Sequence, residues 1–219
     1  MENRSLQRGK FISFEGSEGC GKSTQIRRFV DWLRAGGREV LVTREPGGTA
    51  VGEKIRHLLQ HDPAGAALTP ESELLLFAAS RAQLVREVIL PALDRGTWVV
   101  ADRFLDSTTV YQGVGRGLDR AAVQRINAFA VGQALPALTF LLDLDAATGH
   151  ARAVAASGDQ HDRMESEPPA FFEAVRRGYL ELAAAEPARI AVIDAGQGIE
   201  EVFADLVRTF EARFPLSHA

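Results

Sequence analysis

Five short stretches of the chain, at 10–15, 40–43, 98–101, 139–144 and 189–193, are almost continuously apolar. Unbroken hydrophobicity, as opposed to alternation, is the pattern of a strand covered on both faces in a parallel sheet. Between these stretches apolar residues recur at spacings of three and four. That period predicts helices at 22–35, 50–61, 70–94, 119–134, 146–157, 168–186 and 198–213. Strands alternating with helices predict an α/β layered fold with a five-stranded parallel sheet flanked by helices and right-handed crossovers. No long Pro/Gly/Ser linker interrupts the 219 residues, so a single domain over 1–219 is expected. The termini, 1–8 and 215–219, are expected to be disordered.

Ligands of such sheets gather beyond the carboxyl ends of the strands. Those positions are strongly polar here: Arg44-Glu45-Pro46-Gly47-Gly48-Thr49, Asp102-Arg103-Phe104, Asp143 and Asp145, and Asp194-Ala195-Gly196-Gln197. After the first strand comes Gly16-Ser17-Glu18-Gly19-Cys20-Gly21-Lys22-Ser23, then Thr24, a complete GxxxxGK[ST] phosphate-binding loop. Its glycines permit positive φ, so successive N–H groups can turn inward at a helix N-terminus and hold a nucleotide's phosphates. Lys22 adds a point charge for the β and γ phosphates, and Ser23 offers a hydroxyl to Mg²⁺. Asp102, ending a buried strand, is the candidate acid that orients the metal. Arg103 beside it offers a guanidinium for bidentate phosphate recognition, or else a structural partner for Asp102.

Two further segments admit two readings each. Phe77 and Arg81 share a helix face four residues apart, either as a core ring with a solvated charge, or as a ring stacked on a base whose edge the guanidinium contacts. The stretch 107–117, with its hydroxyls, amide and glycines, is either a mobile surface loop or the source, through Thr108 and Gln112, of a base-reading donor and acceptor.

The net charge of -4 and a pI near 5.8 argue against a general polyanion binder, so no nucleic-acid partner is expected. One cysteine, Cys20, cannot form an internal disulfide. No run approaches the ~18 apolar residues of a membrane span, and the first eight residues carry no apolar leader core. A cytoplasmic protein without membrane partners is expected.

Taken together, residues 11–24, Thr43 through Thr49, Phe77 through Arg81, Asp102-Arg103-Phe104 with Tyr111-Gln112-Gly113, and Asp162-Arg163 followed by Phe171-Phe172 resemble bacterial thymidylate kinases over about residues 10–213. The resemblance implies a P-loop nucleoside monophosphate kinase-like three-layer fold and ATP-dependent phosphorylation of dTMP to dTDP for dTTP synthesis. It also implies Mg²⁺ as cofactor and a homodimer. Carried over position by position, Glu18 meets the deoxyribose 3′-hydroxyl, while Arg44, Arg56 and Arg103 hold the monophosphate. Phe77 stacks on thymine, Arg81 contacts its carbonyl, and Thr108 and Gln112 contact the base. Tyr111 disfavours a ribose 2′-hydroxyl, and 194–197, with Gln197, lines the adenine pocket. Such enzymes carry a mobile lid, here about 149–165. Where the phosphate loop has no arginine, the lid usually carries several, yet this one retains only Arg152 and Arg163. Arg152 is the expected clamp on the transferred phosphoryl group, with Arg163 in reserve.

Two other functions compete. A GTPase switch needs an Asn-Lys-x-Asp run, and neither Asn3 nor Asn127 is followed by lysine. A nucleoside kinase needs a base to deprotonate a 5′-hydroxyl, a role open to Glu15.

Overall fold

The structure, a computed structural model, describes residues 8–157 and 167–214. Asp162, Arg163 and the part of the expected lid beyond residue 157 lie outside the described residues, as do the expected disordered termini apart from Arg8. The five predicted strands form one parallel sheet: β1 Phe11–Glu15, β2 Val40–Arg44, β3 Trp98–Asp102, β4 Leu138–Asp143 and β5 Ile190–Asp194, in the order β2-β3-β1-β4-β5. Every residue of central β1 is buried, whereas Val42 and Val192 are half exposed on the two edge strands. Because strand side chains alternate, Ile12, Phe14, Val100 and Phe140 face one side of the sheet. Phe11, Val99 and Ala101 face the other.

The helices follow in chain order: α1 Lys22–Ala35, α2 Ala50–Gln60, α3 Pro70–Leu84, α4 Leu90–Asp94, α5 Leu105–Thr108, α6 Arg120–Val131, α7 Ala146–Ser157, α8 Pro169–Ala185 and α9 Ile199–Arg213. The stripes of α1 and α9 complete the first core layer through Phe29, Leu33, Leu206 and Phe210. The expected single helix over 70–94 instead contains a π turn at Val85–Ile89, where the Leu90 N–H reaches back to the Val85 carbonyl. Pro91 follows directly. Lacking an N–H and clashing with the preceding turn, it cannot continue a regular α ladder, and the widened turn accommodates it.

The larger difference lies at 107–117, for which a mobile surface loop was one reading. Residues 105–115 are helical, α5 running into a π-helical segment at Thr109–Gly115, and Val110, Tyr111, Gln112 and Gly113 are buried. Two close approaches seat this segment against α8. A Cβ on Gly115 would lie 2.5 Å from the Phe171 ring, and one on Gly178 would lie 3.1 Å from Val110 and Val114. The apolar partners Phe171, Val175 and Tyr179 come from far along the chain, so the local excess of polar and glycine residues concealed the burial.

β1 and β3 are neighbours whose onward connections leave in opposite directions, β1 crossing to β2 and β3 crossing to β4. This is the topological switch point at which an open α/β sheet leaves a crevice beyond its carboxyl ends.

Candidate active site

A cleft of about 230 Å³ opens at that switch point. It is lined by Glu18, Lys22 and Ser23 after β1, by Arg44, Glu45 and Pro46 after β2, and by Asp102, Arg103 and Phe104 after β3. Arg56 and Gln60 enter from α2, Phe77 and Arg81 from α3, and Ser107, Thr108, Tyr111 and Gln112 from the buried helical segment. Every residue assigned above to the acceptor nucleotide is in this set, so residues spread over nearly a hundred positions converge on one cavity.

The phosphate loop has the required backbone. Gly19 and Gly21 take φ of 69° and 81°, and Gly21 precedes α1 with no side chain capping the helix. The first-turn N–H groups are therefore left for an anion. Gly19 has a second reason to be glycine, since a Cβ there would lie 2.0 Å from the Gly149 carbonyl at the start of α7. Lys22 Nζ lies 3.5 Å from Asp102 Oδ1, which joins the loop's cation to the end of β3.

Arg103 is the centre of the cleft. Its backbone N–H donates to the Phe14 carbonyl at 2.9 Å, and its φ of 65° is left-handed, a conformation costing a non-glycine residue about 1–3 kcal/mol. That turn sends its side chain under the phosphate loop. Nη1 donates to the Gly16 carbonyl at 2.9 Å and to Ser107 at 3.2 Å, and Nη2 is ion-paired with Glu18. The guanidinium also lies over the Tyr111 ring, 5.3 Å from its centroid. Burial opposes ionisation of Glu18, but Arg103 and Lys22 outweigh it and hold the carboxyl below its ordinary value.

Arg81 is not the solvated charge of the simpler reading; it is 1% exposed. Nε donates to Glu45 Oε2 at 2.8 Å, Nη1 to Asn127 Oδ1 at 2.8 Å, and Nη2 to Thr108 Oγ1 at 2.9 Å. These partners hold the guanidinium over the Phe104 ring, 5.4 Å from its centroid, and leave Nη1 one further N–H. Burial raises Glu45 to about 6 even against the Arg81 charge. Arg44 pairs with Glu53 at 2.8 Å, and Arg56 donates to the Pro46 carbonyl at 3.0 Å. Three buried polar atoms of cleft residues, Glu45 Oε1, Gln60 Oε1 and Tyr111 OH, have no partner among the described residues. Buried polar atoms are rarely left unpaired, and two more, Gln25 Oε1 and Thr43 Oγ1, belong to residues outside the cleft lining; the three in the cleft are open to partners on a bound nucleotide.

Glu15 does not serve as a base. It is fully buried, with Oε1 accepting from Phe104 N at 2.8 Å and Oε2 from Ser107 at 2.6 Å and Tyr179 at 2.9 Å. Burial, with the nearby charge of Asp106, raises its pKa to about 7, against lowering contributions from Ser107 and Arg103. The native state thus holds a proton that the unfolded chain, near its ordinary 4.5, has released. Stability falls as pH rises through that window. Thermal melts between about pH 5 and 8 are expected to show the loss, and Glu15→Gln to make it shallower above about pH 6, the part below that being shared with Glu45. An equally steep loss in the variant would assign it elsewhere.

Other polar strand ends are structural. Asp143 forms a two-pronged pair with Arg176 at 2.7 and 2.8 Å, and Asp145 accepts from Thr148 N at the start of α7. Arg152 does not line the cleft; from α7 its Nη1 donates to the Ala195 carbonyl at 3.3 Å, beside the loop that carries Gln197. Gln197 in turn donates to the Asp194 carbonyl and to Asp205. Sequence reasoning named Glu45 only within its strand-end segment and assigned no role to it, to Asn127, to Tyr179 or to the buried pair Asp106–Arg189, bonded at 2.7 and 2.8 Å. The one available signal was an isolated ionisable residue within or beside an apolar run.

A model of the family described as thymidylate kinase matches residues 14–206. The chain belongs to the thymidylate kinase family. A thymidylate kinase of Geobacter sulfurreducens is 52% identical over 196 residues, covering 88% of this chain and 92% of that protein. One of Lactobacillus delbrueckii subsp. bulgaricus is 48% identical over 208 residues, covering 94% and 98%. The crystal structure of thymidylate kinase from Ehrlichia chaffeensis superposes with a TM-score of 0.74 at 32% identity, over 93% of this chain and 99% of that one. As a thymidylate kinase, the chain transfers a phosphoryl group from ATP to dTMP and releases dTDP. Among the described residues no helix is long and apolar enough to cross a membrane.

Proposed function

We propose that the cleft divides its labour along the β1–β3 crevice. dTMP occupies the side lined by Arg44, Arg56, Phe77, Arg81, Thr108, Tyr111 and Gln112; the ATP phosphates lie on the loop 16–24. The observation that carries this reading is Arg103, which joins the phosphate loop, through the Gly16 carbonyl and Glu18, to the acceptor side, through Ser107 and Tyr111. Phosphoryl transfer asks little covalent chemistry of a protein, so catalysis consists of positioning and of cancelling charge. A phosphate oxygen of dTMP attacks the γ phosphorus in line, the bond from that phosphorus to the β–γ bridging oxygen breaks and ADP leaves with the electron pair, while Lys22 and Arg103 stabilise charge on the transferring group. Glu18, charged and paired, is placed to accept from the sugar hydroxyl.

Mg²⁺ fits the residues present. Ser23 and Asp102 bring two hard oxygen donors into one cleft, and Mg²⁺ takes one or two protein ligands beside phosphate oxygens and water. When bound it would neutralise charge on the nucleotide's phosphates. Arg152 is assigned to the donor side as the lid arginine; acting as the clamp requires it to exchange the Ala195 carbonyl for phosphate. A second copy of the chain is assigned to the face of α2, α3 and α6, where Val51, Leu75 and Phe129 are exposed, Phe129 by 81%.

dTMP-dependent ADP release, followed while Mg²⁺ is titrated, tests the metal assignment. Chelation should abolish turnover, and Ser23→Ala and Asp102→Asn should each need about tenfold more Mg²⁺ for half-maximal rate. Unchanged Mg²⁺ dependence in both variants would remove these two residues from the metal site.

A further inference from the structure

Behind the base pocket lies a carboxylate that no part of the reaction uses. Glu73, in the first turn of α3, is 1% exposed and lines a separate groove with Ala66, Leu68, Pro70 and Arg116, away from the nucleotide cleft. Gln112 stands between the two: it lines the cleft, and its Nε2 donates to Glu73 Oε1 at 2.9 Å. Arg116 holds the carboxylate from the other side, with Nε 3.2 Å from Oε1 and Nη2 3.3 Å from Oε2. We propose that Glu73 is a positioning residue for base specificity, fixing the Gln112 side-chain amide with its nitrogen turned back to Glu73 and its carbonyl oxygen turned to the base.

The argument rests on acceptor and donor chemistry. A primary amide has nearly the same shape in its two orientations but opposite polarity, and a free glutamine facing a pocket offers either a donor or an acceptor. Glu73 Oε1 accepts from Arg116 Nε as well as from Gln112 Nε2, so the oxygen that faces the amide is held as an acceptor; it meets the nitrogen end and disfavours the other orientation. Arg116 fixes the carboxyl group from behind, with Nε directed at Oε1 and Nη2 at Oε2, and its remaining Nη1 is paired with Glu167 at 2.6 Å. The cleft then carries an acceptor at Gln112 beside the donors of Arg81, whose Nη1 keeps one N–H. The base edge complementary to that set has a ring N–H donor beside a carbonyl acceptor, as thymine has. Cytosine reverses both groups, offering an unprotonated ring nitrogen and an exocyclic amine. A pocket whose Gln112 could turn over would lose part of this discrimination. The proposal rests on the reading that Phe77, Arg81, Thr108 and Gln112 hold the base.

The experiment compares kcat/KM for dTMP and for dCMP, with ATP saturating, in the wild type, Glu73→Gln, Glu73→Asp and Gln112→Met. Glutamine at 73 can present an N–H to Gln112, and aspartate keeps the charge beside Arg116 but withdraws the oxygen by one methylene. Both are expected to lower the dTMP to dCMP ratio by about tenfold, and Gln112→Met to lower it at least as far. General damage to folding lowers both substrates together and leaves the ratio alone. The proposal is overturned if Gln112→Met shifts the ratio while neither folded Glu73 variant does. If Gln112→Met also leaves it unchanged, the base pocket itself has been misassigned.

Discussion

Arg103→Lys should lower kcat/KM for dTMP by about a hundredfold or more while leaving the KM for ATP within a few fold. The guanidinium makes its contacts in several directions at once: the Gly16 carbonyl, Ser107, Glu18 and the Tyr111 face. An ammonium is a point charge and cannot reproduce a planar fork, so charge alone would not rescue the variant. The substitution adds no backbone penalty, since the left-handed φ of 65° is about equally unfavourable to arginine and lysine, both unbranched at Cβ. Arg103 pairs with Glu18 inside the cleft, so its loss also leaves the carboxylate against the incoming dTMP phosphate. Steady-state kinetics with each substrate varied, alongside a thermal melt, separates this from unfolding. A lysine variant with normal turnover would place phosphate recognition on Arg44 and Arg56 alone.

Lys22→Met should have a comparable or larger effect, concentrated in kcat, of about 10²–10³. Lys22 is buried at the start of α1, where methionine conserves its apolar stem and removes only the charge. In the free enzyme the ammonium lies 3.5 Å from Asp102 Oδ1, so the variant leaves that carboxylate without its cation. Metal affinity and phosphoryl transfer are therefore expected to respond in opposite directions. Asp102 no longer shares its charge with lysine and should hold Mg²⁺ at least as well, while the transferring phosphoryl group loses a stabilising charge. Measuring kcat together with the Mg²⁺ concentration for half-maximal rate tests both halves. A loss of kcat that excess Mg²⁺ fully restores would show that lysine acts only by supporting the metal.

Much of this site could be read from the sequence because its contacts are local. The phosphate loop works through consecutive backbone N–H groups and glycine torsions, and it lies between a strand and a helix whose periods are unambiguous. Asp102 and Arg103 were placed by the same logic, as polar residues at the end of an apolar strand. The π-helical segment at Thr109–Gly115 was not legible, because its burial depends on Phe171, Val175 and Tyr179 from α8. Nor were the partners of the buried charges. Arg81 finds Glu45 and Asn127 at separations of 36 and 46 residues, and Gln112 finds Glu73 at 39.

The sequence by itself determined the phosphate loop, the order of the five strands and the acidic and basic groups at their carboxyl ends, since these follow from spacing and backbone chemistry within a few residues. Only the tertiary structure decided which of those groups pair with which partners, that Glu15 is fully buried and bonded to Phe104, Ser107 and Tyr179, and that the Gln112 amide nitrogen is bonded to Glu73. Those outcomes depend on desolvation and on hydrogen bonds between distant segments, and neither exists until the layers have packed.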